Sequence, residues 1–381
     1  MIRIMKILFV TDLYPIGNEK IAKALYYFVL EWKRQGHEVE VIRPNFCINT
    51  KIRKRKIIEE KIYYENGIKI YNLNFATPFL FNVYNKLPDG FSLKNYDVMI
   101  SHMPCGALMA EKLLKKEKIK YICGVHCSDI AVLTKKIYSL FFKKRLTSAY
   151  LMSDKIAARS PILKKRIEEI IPEVKGRTFV AYSGVDDELV KDIERYNAKV
   201  LDFIYNKELS IVVCASLIKR KNVDVVIKGL SKFKSRNFFL RIIGDGEERS
   251  NLEKLTKDLG LEKNIKFLGE IKRDKVFSYL KKSTVFILLS QNETFGLSYL
   301  EAMAALNLII ASKNDGIDGI LKDKENAFLI SPDYVELEKC IENIISIGKE
   351  EAENIYKNMV NTIKRYTISS AAANYLANIE R

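Results

Sequence analysis

Glu293 and Glu301 are separated by seven residues, and the two carboxylates fall on different kinds of local structure. Val285-Phe-Ile-Leu-Leu289 is a short continuous apolar run, which predicts a strand buried on both faces. The polar turn 290–294 follows and ends at Phe295-Gly296. Residues 297–306 are rich in strong helix formers and predict a helix, and Leu308-Ile-Ile-Ala311 predicts the next strand. Glu293 therefore belongs to the turn outside the carboxyl end of a strand, and Glu301 lies about two turns further on, inside the helix. In an open parallel sheet, ligands bind at that end of the strands. A helix start offers outward amides and the positive end of a dipole, so the segment Thr294, Phe295, Gly296, Leu297 favours an anion. Gly296 leaves room for a phosphate to approach the backbone. A carboxylate beside such a site accepts hydrogen bonds from hydroxyls, as in ribose or a hexose. The unit suits a ligand with phosphates in the middle and hydroxyl-bearing rings at either end.

The pattern continues through Ala302-Met-Ala304 and Asn314-Asp-Gly-Ile-Asp-Gly-Ile-Leu321. Together with the two glutamates it closely resembles the E-x7-E signature of family 4 retaining glycosyltransferases of the GT-B fold. The resemblance implies a nucleotide-sugar donor, retention at the sugar carbon, and neither a metal nor another cofactor. It implies that Glu301 accepts hydrogen bonds from the ribose and that Glu293 holds the donor sugar near the reacting carbon. Residues 216–222 form a basic loop before a helix, an arrangement that binds phosphate. Lys221 matches the family's diphosphate-binding lysine there. Ser216 stands where the family usually has arginine, so either Lys219 or Arg220 supplies the missing charge or the diphosphate is held less tightly. Gly244-Asp-Gly246 matches the turn beside the nucleotide, and Gly17, in the loop after Tyr14-Pro15, matches a glycine facing the diphosphate. His102 and His126 each follow an apolar strand run. The position of His126 lies beside the donor sugar in the family, and His102 matches a second recurrent histidine. Asp129 follows His126 closely and falls on the acceptor side with His102.

The elements that must position these residues form an α/β protein. Ile4–Val10 predicts a first strand, residues 20–35 an amphipathic helix ended by Gly36, and His37–Ile42 the next strand. Further strands are expected at 97–101, 121–125, 211–215, 240–243 and 265–269. The expected architecture is GT-B, two Rossmann-like doubly wound parallel-sheet domains facing across a cleft. An acceptor-side domain covers residues 1–186, a linker 187–207 and a nucleotide-sugar-binding domain 208–366. A last helix, 367–381, returns to the first domain.

The chain has 381 residues and carries 64 Lys and Arg against 47 Asp and Glu, a net charge of +17. Such a field favours anionic partners. No helix-turn-helix or zinc-finger pattern points to nucleic acid, so an anionic membrane surface and a phosphorylated substrate are the expected partners. Basic residues crowd Thr50–Lys61, which reads as a solvated loop or a membrane-facing one. Lys135–Arg145 mixes basic and aromatic residues at helical spacing. It reads either as a helix packing Ile137, Leu140 and Phe141 into a core or as an interfacial helix on anionic lipid. No apolar run reaches the roughly 18 residues of a membrane span. The first residues read as a strand rather than a signal peptide, because no small-residue cleavage site follows. Cys123-Gly-Val-His-Cys127 lacks metal-site spacing, and the six cysteines read as free thiols of a reducing cytoplasm. The expected function is sugar transfer to a glycan or lipid-linked acceptor in cell-surface polysaccharide or glycolipid synthesis. It would take place in the cytoplasm or on the inner membrane face. A nucleotide-sugar epimerase of the same fold and a non-catalytic basic binding protein are the alternatives.

Overall fold

The computed structural model describes residues 3–15, 24–46, 62–75, 87–191, 193 and 209–380. The chain forms two compact units: Met1–Tyr182 with Ile368–Arg381, and Ser183–Thr367. The first unit ends four residues before the expected boundary at Asp186. Val185 bridges in parallel to Thr367, and its amide donates to the Tyr366 carbonyl at 2.9 Å, so this segment belongs to the second unit. Residues 187–191 and 193 of the expected linker are counted there too.

The first unit is built on an eight-stranded sheet. In chain order its described elements are β1 (Lys6–Val10), α1 (Ala24–Arg34), β2 (Glu38–Phe46), β3 (Ile62–Glu65), β4 (Ile68–Phe75), β5 (Val98–Ser101), α2 (Met103–Leu114), β6 (Lys120–Val125), α3 (Cys127–Thr134), α4 (Lys136–Leu151), β7 (Lys155–Ala158), α5 (Pro161–Ile170) and β8 (Thr178–Val180). The strand order is β3-β4-β2-β1-β5-β6-β7-β8, parallel except for the β3–β4 hairpin. Ile7, Leu8, Phe9 and Val10 are all fully buried, as a central strand covered on both faces requires. Leu8 and Val10 pack with α2, α4 and α5, whereas Ile7 and Phe9 face α1 and the last helix.

The second unit holds β9 (Leu209–Cys214), α6 (Val223–Ser231), β10 (Phe238–Ile243), α7 (Arg249–Asp258), β11 (Ile265–Gly269), α8 (Arg273–Lys281), β12 (Val285–Leu288), α9 (Leu297–Ala304), β13 (Leu308–Ser312), β14 (Phe328–Ile330), α10 (Tyr334–Ser346) and α11 (Lys349–Ile363). Its all-parallel order is β11-β10-β9-β12-β13-β14. Chain order reverses between β9 and β12, as it does between β1 and β5 in the first sheet. The loops leaving those strands must then diverge, and a crevice opens at their carboxyl ends.

The final helix, α12 (Ile368–Glu380), belongs to the first unit. Ala372, Tyr375 and Ile379 are buried against α1, and the indole nitrogen of Trp32 donates to the Ala372 carbonyl at 3.1 Å. Of the two readings of α4, core packing does not hold for two of its three residues; the side chain of the third, Ile137, lies outside the described residues. Leu140 is 79% exposed and Phe141 56% exposed, so neither enters a core. The buried side of α4 is formed instead by Leu146, Ala149 and Tyr150. Leu146 and Ala149 lie roughly half a turn round the helix from Leu140.

Candidate functional site

In the second unit the two loops at the switch point are tied together by their backbones. Gln291 donates its amide to the Arg220 carbonyl at 2.8 Å, and the Asn222 side chain donates to the Leu289 carbonyl at 2.7 Å. Asn222 has φ +50°, a left-handed geometry that asparagine tolerates better than most residues. It turns the basic loop into α6 and aims Lys221 across the gap. Lys221 Nζ pairs with Glu293 Oε2, and Arg220 Nη1 lies 3.6 Å from the same oxygen. Both partners of the closer pair are largely shielded: Lys221 is buried and Glu293 half-buried.

Glu293 is held from below. Its amide donates to Asp315 Oδ1 at 2.8 Å, and its Oε1 accepts from the Thr294 amide at 3.2 Å. Asp315 also accepts from Ser290 Oγ at 2.9 Å. Burial pushes the Asp315 carboxyl above its ordinary range, against the pull of these donors. Tyr299 braces the same turn, donating to the Leu288 carbonyl at 2.7 Å. A Cβ on Gly316 would stand 2.4 Å from the Glu293 carbonyl, so that turn fits only with glycine there. Gly296, with φ +85°, starts α9; Phe295 is buried, while Thr294, Leu297 and Glu301 are half-buried around it. Glu301 lies on α9 beyond the turn that carries Glu293.

The glycines of Gly244-Asp-Gly246 have a packing reason. A Cβ at Gly244 would sit 1.9 Å from the Ala215 carbonyl oxygen, and one at Gly246 would sit 2.4 Å from that of Leu217. Leu217 in turn donates its amide to the Asp245 carbonyl at 2.9 Å. This turn therefore presses directly on the loop that carries Ser216, which is exposed, and Lys221.

In the first unit the switch point collects a buried cluster. Register between β5 and β6 pairs Ser101 with Cys123, so the histidines after these strands come together. His102 Nδ1 lies 2.9 Å from His126 Nε2, and His102 Nε2 lies 3.0 Å from the Tyr375 hydroxyl. Burial drives both imidazoles toward the neutral form. His102 is held well below its ordinary value by burial, then by His126 and Arg159, and His126 is pushed down to about 3 by burial and Arg159. Asp129 accepts from the His126 amide at 3.0 Å, and burial pushes its carboxyl up to about 7. Arg159, also buried, lies with its guanidinium carbon 4.9 Å from the Phe28 ring centre, and burial lowers it to about 10.

The structure thus brings Lys221, Arg220 and Glu293 together, and separately His102, His126 and Asp129. Gly17 and the basic run within Thr50–Lys61 lie outside the described residues. Sequence reasoning missed Arg159, Asp315 and Tyr375 as members of these clusters. Arg159 had a legible signal, because it follows a buried strand directly, as His102 and His126 do. Tyr375 had none, since 273 residues separate it from His102.

Two parallel-sheet units, each gathering polar side chains where its strand order reverses, define a two-domain α/β protein. The family model described as Glycosyl transferases group 1 matches residues 198–364, and that described as Glycosyltransferase Family 4 matches residues 21–189. An uncharacterized glycosyltransferase of Methanocaldococcus jannaschii, MJ1178, is 27% identical over 256 residues, 66% of either chain. The N-acetyl-alpha-D-glucosaminyl L-malate synthase of Bacillus anthracis is 24% identical over 337 residues, 85% of either chain. Among solved structures, Anabaena Alr3699/HepE in complex with UDP superposes with a TM-score of 0.71 at 16% identity, covering 99% of this chain and 100% of that one. The chain belongs to the group 1, family 4 glycosyltransferases and has their GT-B fold.

Proposed function

We propose that this glycosyltransferase takes a nucleotide sugar as donor and transfers the sugar, with retention, to a glycan or lipid-linked acceptor. The observation that carries the reading is the contact of Lys221 with Glu293 at the switch point of the second sheet. An ammonium has three protons, so one on Glu293 leaves two for phosphate oxygens. Lys221, Arg220, the exposed Ser216 and the turn Thr294–Leu297 hold the diphosphate, the group on which charge develops as it leaves. Gly244 and Gly246 shape the floor beside the nucleotide. Glu301 accepts from the ribose hydroxyls and Glu293 from the donor sugar.

The acceptor hydroxyl attacks the anomeric carbon from the side on which the diphosphate departs. The carbon–phosphate oxygen bond breaks, the carbon–acceptor oxygen bond forms, and the acceptor's proton goes to the leaving phosphate. Lys221 and Arg220 provide the positive charge in place of a metal. His126 stays neutral and orients rather than protonates, with His102 and Asp129 behind it. Relatives and neighbours support the donor class: Alr3699/HepE is also solved with UDP-glucose. Others act in lipopolysaccharide core or O-antigen biosynthesis, which supports cell-surface glycan or glycolipid as product.

The test is a thermal-shift screen of nucleotide sugars and nucleoside diphosphates, followed by turnover of the best donor with and without chelator. Glu301→Ala should raise the donor KM by about tenfold, the loss of a hydrogen bond to a charged group. Glu293→Gln should lower kcat by roughly 100-fold or more. Wild-type turnover in both variants, or loss of activity on chelation, would overturn the corresponding assignment.

A further inference from the structure

Helix α4 is apolar on two opposite sides. One side is packed: Leu146, Ala149 and Tyr150 are buried, and Arg145 holds the helix to α2 by donating to Glu111 at 2.8 Å. The other side faces solvent and carries Leu140, 79% exposed, and Leu151, 43% exposed. Eleven residues separate these two leucines, which is three helical turns, so they lie on one line about 16 Å long. Phe141, 56% exposed, stands beside that line. Lys136 and Lys144 lie one turn before and after Leu140, and Lys143 completes the rim; all three are exposed. Packing accounts for the first apolar side and leaves the second without a structural purpose, since a surface helix normally needs only one.

We infer that the outer side of α4 rests on an anionic lipid bilayer. The charge around it selects the occupant. Four features agree: exposed apolar side chains, a lysine rim, a net charge of +17 on the chain, and a helix of 16 residues. That helix is too short and too basic to cross a bilayer but suited to lie in its surface. Among the described residues no helix is long and apolar enough to span a membrane. Leu140, Phe141 and Leu151 enter the boundary between headgroups and acyl chains, and the lysine stems reach back to the phosphates. The inference rests on the proposed function only in that a lipid-linked acceptor would be met at such a surface.

Sedimentation with vesicles tests it without donor, acceptor or turnover, so its failure leaves the donor assignment standing. Wild-type protein should bind vesicles of phosphatidylglycerol mixed with phosphatidylcholine, bind pure phosphatidylcholine weakly, and lose binding as salt is raised. The Lys143→Gln/Lys144→Gln variant should partition roughly 25-fold less well, about fivefold per lysine. Leu140→Ser/Phe141→Ser should lose about 100-fold or more. Trp32 fluorescence, unchanged in each variant, shows that the first unit is folded. No binding to anionic vesicles, or equal binding by the leucine–phenylalanine variant, overturns the inference. So does a concentration-dependent dimer that this variant abolishes, since a second copy would then be the occupant.

Discussion

At the scale of the residue, the clearest constraint is Gly124. A Cβ there would stand 2.0 Å from His102 Nδ1, a direct clash with the imidazole. The histidine cannot give way easily, because it is held by His126 at one nitrogen and by Tyr375 at the other. Gly124→Ala should destabilise the first unit by about 1–3 kcal/mol through overpacking. It should also break the His102–His126 contact, which nitrogen-15 spectra of the three histidines would register as altered ring shifts. An unchanged spectrum and an unchanged midpoint in denaturant would show that the strand relaxes around the methyl group. Residue types at strand ends were readable in the sequence: Glu293, Lys221, His102 and His126 all stand where an apolar run gives way to a polar turn. Their partners were not readable. Asp315 reaches Glu293 across 22 residues of chain, and the pair exists only because β12 and β13 are neighbours.

At the scale of the element, periodicity located the strands well because parallel strands are apolar on both faces and stand out as runs. Helices were harder. The pattern of α4 offered two apolar sides, and nothing local says which of them meets the sheet. The buried cluster where α2, α3 and α12 meet also gives the first unit a dependence on pH with a definite sign. An unfolded histidine accepts a proton near 6.5, but folded His126 refuses it down to about 3, and His102 is lowered as well. Both therefore withdraw stability as pH falls below 6.5. Asp129 acts oppositely: its folded value of about 7 lies above the ordinary 3.8, so it withdraws stability as pH rises between them. Two imidazoles against one carboxyl leave a net loss on acidification of up to about 1.4 kcal/mol per pH unit between pH 5 and 6. Urea titrations followed at Trp32 should show this slope in the wild type. They should show it largely lost in a His102→Asn/His126→Asn variant, where buried His37, also held below its ordinary value by burial, and Asp129 remain and oppose each other. A flat profile in both proteins would mean that water reaches the cluster and that burial is not its governing term.

At the scale of the whole molecule, one tryptophan separates the behaviour of the two units. Trp32 is the chain's single tryptophan. It is fully buried, its ring centre 5.6 Å from that of Phe28 and 5.3 Å from that of Tyr375, so it reports the first unit and the docking of α12 together. The residues assigned to the donor lie mainly in the second unit, which contains no tryptophan. A ligand stabilises only what it binds, by about 2.7 kcal/mol at a hundredfold excess over its Kd. For a domain of this size that is roughly 5–10 °C in Tm. The nucleoside diphosphate that performs best in the screen should therefore raise a transition seen by circular dichroism and leave the Trp32 transition nearly in place. Hydrogen exchange should show the new protection in the loops after β9 and β12. A shift of the Trp32 transition by the same amount would show instead that the two units unfold as one or share the nucleotide.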